Sequence, residues 1–350
     1  MRTVVGTMTG TSMDGVDAVA VQIDGHGFDI NAIFLTMASR TLGATRHQLQ
    51  SLALHGGSSE EMGSAARAIG KITKETISDL HLPHIDVIAL HGQTIFHEPP
   101  KSIQLINTSH IVDAFNCVVL TDPRQQDLQL GGQGAPITPL ADWIMFRSDE
   151  ASTAIVNLGG FCNVTVLPTH STPTDIRGFD VCCCNLLLNA ITHHAFDLDY
   201  DKGGNLALLG QADEETTNCI LGKLTKQRKS NRSLGTTDDL GACALQLCKK
   251  SSPEDLLASA TSAIGQCIMD SIRGIDRVFL AGGGIHNESL RRAIQNNGTT
   301  ETLCVPTQAR EGMAMAILGA LSQDGVSITL PQITGRRETN QLVGWTQASP

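Results

Sequence analysis

At 350 residues the chain is too long for one ordinary core and suits two domains with a cleft between them. Hydrophobic residues at 41% and charged residues at 17% exclude a disordered chain. A net charge of −10 argues against nucleic acid as a partner, because phosphate backbones select basic surfaces; it leaves room for a nucleotide met by local amides and a metal ion.

The opening TVVGTMTG and VDAVAVQID read as two strands joined by a glycine turn, with AIFLTMASR as a third. Glycine and threonine interrupt the first apolar run, which makes it a poor signal peptide, and no run reaches the ~18–20 residues of a membrane span. A helical stretch from Ser59 to Leu80 is followed by the strand IDVIALHG, a short helix near Ser109 to Phe115 and the strand CVVLTD. After about residue 140 the pattern restarts. TAIVNLGG turns into NVTVLP, and a helix is expected from about Asn185 to Phe196. Ser252 as N-cap, Pro253 in the first turn and Glu254 and Asp255 beside the positive end mark another helix. The strand RVFLAGGG, a helix after Asn287, the strand ETLCVP and a helix from Glu311 complete the chain. Alternating strands and helices in two halves predict an α/β duplicated two-domain fold, with domains 1–140 and 141–350 and a C-terminal tail that packs back on the first.

The ten cysteines include Cys117, Cys162, Cys267 and Cys304 within apolar stretches, and none has the paired CxxC spacing of a zinc site. Reduced thiols in a cytoplasmic protein are expected.

Between the first two strands, Gly10, Thr11, Ser12, Met13, Asp14 and Gly15 form a turn able to aim amides at phosphate oxygens, with Asp14 near a magnesium ion. A plain hairpin turn is the bland alternative. Asn157, Gly159 and Gly160, and then Gly282, Gly283 and Gly284, also end strands, where glycine lets a ligand approach the backbone. No GxxxxGK[ST] occurs, so this is not a P-loop enzyme. Asp180, in Arg177-Gly178-Phe179-Asp180, reads either as a general base or as a helix cap. His91, Gln93 and Thr94 end a strand with side chains suited to sugar hydroxyls or to a turn. Lys223, Lys226, Arg228, Lys229 and Arg232 form a basic run, read as a solvated loop or a face toward an anion.

Taken together, GTMTGTSMDGVD, HGQTIFH, Asp122-Pro123-Arg124 with GGQGAP, NLGGFCNVT, RGFD, AGGGIHN, EGMAMAILGAL and LPQITG resemble the motifs of the anhydro-N-acetylmuramic acid kinase family, in the family's order and over most of the chain. The resemblance implies an actin/hexokinase-type (ribonuclease H-like) fold, ATP and Mg²⁺ as cofactors, and phosphorylation of O6 of a 1,6-anhydro sugar while water opens the bridge at C1. It implies that Gly10 to Gly15 hold phosphates, that Asp180 activates the water, and that His91, Gln93, Thr94, Arg124 and Glu311 line the sugar pocket. The resemblance implies a small anhydro sugar as partner; a second copy of the chain is a further candidate partner, and charge and hydropathy point to neither nucleic acid nor membrane.

The sequence departs from the family where Asp180 is followed by Val181-Cys182-Cys183-Cys184-Asn185 in place of a Gly-Pro-Gly-Asn-like turn. Cysteines cannot trace such a turn cheaply, so the next helix is expected to start early, with Asn185 in its first turn. A second departure is Arg228-Lys229-Ser230-Asn231-Arg232 for a Pro-Pro-Lys-Ser segment, and a third is Thr261-Ser262 for a Thr-Ala pair. Three readings remain open: a muramate-sugar kinase, a kinase for another anhydro sugar such as levoglucosan, and a catalytically weak binding paralogue.

Overall fold

The computed structural model describes residues 1–10, 13–229, 233–235, 238, 240–241, 251–338 and 341–348. The chain divides into two compact units, Met1–Phe146 with Ala309–Pro350, and Arg147–Gln308. The sequence placed the division near residue 140. That position lies inside the helix Pro139–Phe146, whose buried Leu140, Ala141, Trp143 and Phe146 hold it to the first unit.

In chain order the first unit contains β1 (Arg2–Met8), β2 (Gly15–Asp24), β3 (Asn31–Thr41), α1 (Thr45–His55), α2 (Ser59–Ser78), β4 (Val87–Leu90), β5 (Gln93–Glu98), β6 (Lys101–Leu105), α3 (Ser109–Val112), β7 (Val118–Thr121), α4 (Gln125–Gln129) and α5 (Pro139–Phe146). The second unit contributes β8 (Thr153–Leu158), β9 (Phe161–Leu167), β10 (Arg177–Cys183), α6 (Asn185–Phe196), α7 (Asn205–Leu209), α8 (Glu214–Lys229), α9 (Pro253–Ser271), β11 (Arg277–Ala281) and α10 (Glu288–Ala293). The chain then returns to the first unit with α11 (Arg310–Gln323), α12 (Pro331–Thr334) and β12 (Thr346–Gln347).

Both units repeat one strand order. In the first sheet, β12-β7-β4-β1-β2-β3, strands β1 to β3 form an antiparallel meander and β4 runs parallel beside β1. In the second, β10-β9-β8-β11, strands β8 to β10 form the meander and β11 runs parallel beside β8. This is the duplication that the doubled sequence pattern predicts, in the ribonuclease H-like form that the family resemblance implies.

The central strands of the first sheet, β1 and β4, are buried on both faces. Val5, Ala18, Ala20 and Ile88 pack with Ile77 of α2, whose N-terminus is fixed by the Ser58–Glu61 capping box. α11 lies against the other face at backbone distance. A Cβ on Gly6 would fall 2.0 Å from the Gly312 carbonyl oxygen, and one on Gly312 would fall 2.3 Å from Val19. In the second unit, Val156, Leu158, Val164 and Leu280 of the sheet pack on Leu187 and Ile191 of α6 and Ile264 and Cys267 of α9. Ser252 caps α9 through the Asp255 amide, as its sequence predicts.

ETLCVP is not a strand. Its residues form a 3₁₀ turn over Thr300–Leu303, and Cys304 ends that turn at φ 62°, exposed rather than in the core. No helix among the described residues is long and apolar enough to cross a membrane.

Candidate active site

Strand register assembles the second unit's polar residues into a row. Asp180 of β10 faces Asn163 of β9, Asn163 faces Asn157 of β8, and Asn157 faces Ala281 of β11. Directly paired residues share a sheet face, and alternation confirms it: Cys162, Val164, Val156 and Leu158 point into the core, so Asn163 and Asn157 point away from it. The row ends where β8 and β11 give out into Gly159-Gly160 and Gly282-Gly283-Gly284. Gly282 sits at φ 80°, and a Cβ there would meet the Asn157 Oδ1 at 2.6 Å, whereas Gly283 has open space around it. The Gly159 and Gly160 carbonyls accept from the backbone amides of Asn185, Cys184 and Leu186, and the Asn185 side chain donates to the Leu158 carbonyl. Asn157, both glycine turns and the start of α6 thus form one locus.

Asp180 stands beside a β-bulge. The pairs on either side are Asp180 with Asn163 and Cys182 with Cys162, which leaves Val181 as the extra residue. Its Oδ2 accepts from the Leu234 amide at 2.7 Å. Cys182, Cys183 and Cys184 are fully buried, and none adopts a positive φ. α6 begins at Asn185, so that residue does lie in the first turn. The Cys183 amide donates to the Gln227 Oε1 at 3.0 Å. Burial pushes the Cys162 thiol up, and a hydrogen bond with Cys267 together with burial pushes Cys182 up.

In the first unit, hydrogen bonds draw together side chains from three sequence motifs. His91 is buried, and its Nδ1 lies 3.0 Å from the Gly92 carbonyl oxygen, so Nδ1–H donates there and Nε2 presents its lone pair. Arg124 Nη2 and Gln104 Nε2 each reach that Nε2 at 3.0 Å. Gln104 Nε2 also lies 3.3 Å from the Thr94 hydroxyl. Burial, and then the Arg124 guanidinium, push the imidazole down to about 3, so His91 is neutral near pH 7. The same causes bring His97 down to about 4.

Arg124 is itself anchored, with Nη1 donating to the Gly134 carbonyl at 3.2 Å. The Gly134 amide donates to the buried Asp127 carboxylate at 2.8 Å, which also accepts from the Thr334 hydroxyl at 2.8 Å. GGQGAP and LPQITG, far apart in sequence, thereby meet at the Asp127 carboxylate, and Arg124 of the DPR motif joins them through the Gly134 carbonyl.

Gln93 is wholly buried. Its amide bonds the Thr9 hydroxyl and donates to the Gly10 carbonyl at 3.2 Å, tying the turn after β1 to β5. Within that turn Met13 adopts φ 54° with its side chain in a cluster with Leu49 and Leu52. Thr11 and Ser12 lie outside the described residues. Asp14 is exposed and faces Arg46 at 3.2 Å. No group of three or more His, Cys, Asp or Glu able to hold a metal occurs among the described residues. A lone carboxylate at a glycine turn nevertheless fits Mg²⁺, which keeps waters and phosphate oxygens as most of its ligands.

Glu311 lies in the first turn of α11 beside Arg310, which is buried and ion-paired with Asp142 through bonds of 3.0 and 2.5 Å. The basic run is no loop. Lys223, Lys226, Arg228 and Lys229 belong to α8, while Arg232 falls outside the described residues.

Asn163, Gln104 and Asp127 escaped the reading of the sequence. Asn163 lies in a quoted motif, NLGGFCNVT, but only strand register puts it next to Asp180.

The family model for anhydro-N-acetylmuramic acid kinase matches residues 2–347. A curated anhydro-N-acetylmuramic acid kinase of Salinibacter ruber is 31% identical, over 95% of this chain and 93% of its own. An enzyme of the same name from Bacillus cereus is 28% identical, over 96% of this chain and 97% of its own. Among solved structures, component A of the Acidaminococcus fermentans (R)-2-hydroxyglutaryl-CoA dehydratase aligns over 93% of this chain and 99% of its own, at TM-score 0.46 and 10% identity. A ROK family glucokinase from Streptomyces griseus aligns over 91% and 99%, at TM-score 0.39 and 10% identity.

Proposed function

This chain belongs to the anhydro-N-acetylmuramic acid kinase family, which makes it an ATP-dependent sugar kinase, and we propose that its substrate is 1,6-anhydro-N-acetylmuramic acid. In this reading water attacks C1 and gives a proton to Asp180. The C1–O6 bond of the anhydro bridge breaks with its electron pair going to O6. O6 takes the γ-phosphoryl group as the bond to ADP breaks. The products are N-acetylmuramate 6-phosphate, ADP and one proton, a reaction suited to reuse of cell-wall sugars in the cytoplasm, where ATP is made.

The observation that supports it best is the row of Asp180, Asn163 and Asn157 running into the Gly282–Gly284 turn. It sets a carboxylate able to accept a proton and a backbone able to approach phosphate on one sheet face. His91, Thr94 and Arg124 would line the sugar pocket with Glu311, while Gln93 fixes the Thr9–Gly10 turn behind them. His91 enters as a neutral imidazole held by Arg124. The turns Gly10–Gly15, Asn157–Gly160 and Gly282–Gly284 would hold ATP. Asp14 would be the carboxylate that holds Mg²⁺, which when bound would neutralise charge on the transferred group.

The test is incubation with Mg-ATP in ¹⁸O-water and, in separate arms, the muramate sugar, its N-acetylglucosamine analogue and levoglucosan. The expected result is ADP with a 6-phosphate labelled at C1, fastest for the muramate sugar. Label in inorganic phosphate, or a faster reaction with levoglucosan, would overturn the substrate assignment.

A further inference from the structure

We infer that Asn163 is a second catalytic residue, holding the attacking water jointly with Asp180; this rests on the reading that Asp180 is the base. A water that attacks C1 must direct one lone pair at that carbon and one hydrogen at the base. Its second hydrogen needs an acceptor, or the molecule turns freely about the bond to the carboxylate. Asn163 supplies an amide oxygen in the right place. It is the direct cross-strand partner of Asp180, on the same face of the sheet and half-buried. The side-chain stems of directly opposed residues lie about 4.5–5.5 Å apart. A carboxylate and an amide at that spacing can both reach one water at about 2.8 Å.

The neighbouring positions do not meet this requirement. Asn157 lies a further strand away, about 9–10 Å from Asp180 across the sheet. Toward the other end of the pair, Thr165 faces Gly178, and on the far side of the bulge Cys162 faces Cys182 inside the core. The bulge at Val181 sharpens the case. It turns the chain after Asp180 into the core, so Asp180 is the last residue of β10 whose paired partner shares the outward row.

The roles are also chemically complementary. An amide cannot take the proton, so Asn163 cannot replace Asp180 as base. Being uncharged, it does not raise the carboxyl's affinity for a proton, as a second carboxylate at that spacing would.

Three variants of the full-length protein test this, with kcat and KM measured for the muramate sugar and for ATP across the pH range. Asn163→Ala is expected to lower kcat by ~10–100-fold with both KM values within about twofold of the parent. Asn163→Asp keeps the shape but adds a charge beside Asp180. It should move the acid limb of the kcat profile upward by about one pH unit or more. A residue that merely stabilises the sheet would lower Tm and leave that limb in place. An Asn163→Ala enzyme with kcat within twofold of the parent, or an Asn163→Asp enzyme with an unmoved acid limb, overturns the inference. Asp180→Asn separates the two levels. If it retains turnover the underlying reading fails, whereas its inactivity beside an unaffected Asn163→Ala enzyme removes Asn163 alone.

Discussion

His91 and Asp180 belong to different units and are held by different forces. Around His91, position comes from directional bonds between polar side chains: Arg124 and Gln104 fix the imidazole, Gly134 fixes Arg124, and Asp127 fixes Gly134. Under Asp180, position comes from the sheet. Strand register sets the residue beside Asn163, a bulge aims it, and three successive buried cysteines fill the space behind. The contrast teaches where each site is fragile. A bonded cluster fails when a polar atom is lost, because its partner is left buried and unsatisfied. A packed support fails when volume or backbone path changes.

Removing the carboxylate is the most severe test. Asp180→Asn preserves shape and packing, so the protein should fold with unchanged Tm while turnover falls by ~10²–10⁴-fold. A variant retaining a tenth of the activity would mean that the packed region holds no base. Next comes Arg124→Leu, which leaves the His91 lone pair without its charged donor. A buried charged hydrogen bond is worth about 1.5–3 kcal/mol, so the sugar KM should rise ~10–100-fold with the ATP KM unchanged. Equal changes in both constants would show that the bonded cluster does not serve the sugar.

The packed side is probed through its cysteines. Cys182→Gly, Cys183→Pro and Cys184→Gly together empty part of the core and remove the Cys183 amide that donates to Gln227. At about 0.5–3 kcal/mol per position, the combined loss is on the order of 5 kcal/mol, or a Tm lower by ~10 °C or more. A Tm within about 2 °C of the parent would show that packing does not support Asp180.

The smallest effect concerns pH. His91 falls to about 3 in the folded protein, below the ordinary 6.5, so the unfolded chain takes up the proton first. Its contribution to stability is complete above about pH 6.5 and declines as the pH drops from there toward 3. The sugar KM should therefore stay flat between about pH 6 and 8. His91→Gln should flatten the acid side of the stability curve, and an unchanged slope would mean that His91 is already protonated in the fold.

Much of this was legible before the structure, and the exceptions share a cause. Strands ending in glycine and the Ser252 cap are local signals, and the chain folds as they indicate; Asp180, expected beside a helix start, instead lies within β10, and Cys184 is the residue that precedes α6. The β5–β6 hairpin was missed because its polar alternation within HGQTIFH and KSIQL resembles a loop rich in side chains. ETLCVP misled because its apolar residues suit a strand, while the left-handed Cys304 forbids one. Asp127 and Asn163 owe their importance to partners outside their own motifs, Thr334 for one and a neighbouring strand for the other. Pairing of that kind leaves no mark on composition or period.

The return of the chain to the first unit at Ala309 has a consequence for its synthesis. The sheet of that unit packs on α11 through the backbone contact of Gly6 with Gly312, so its last layer is made after the whole of Arg147–Gln308. At ~5–20 residues per second, the ribosome takes on the order of 10–30 s to deliver that insert. For that interval β1 and β2 wait with one apolar face bare, while the second unit, continuous in sequence, is free to complete itself. The nascent chain should therefore protect its middle from protease before its beginning, the reverse of the order in which the two emerge.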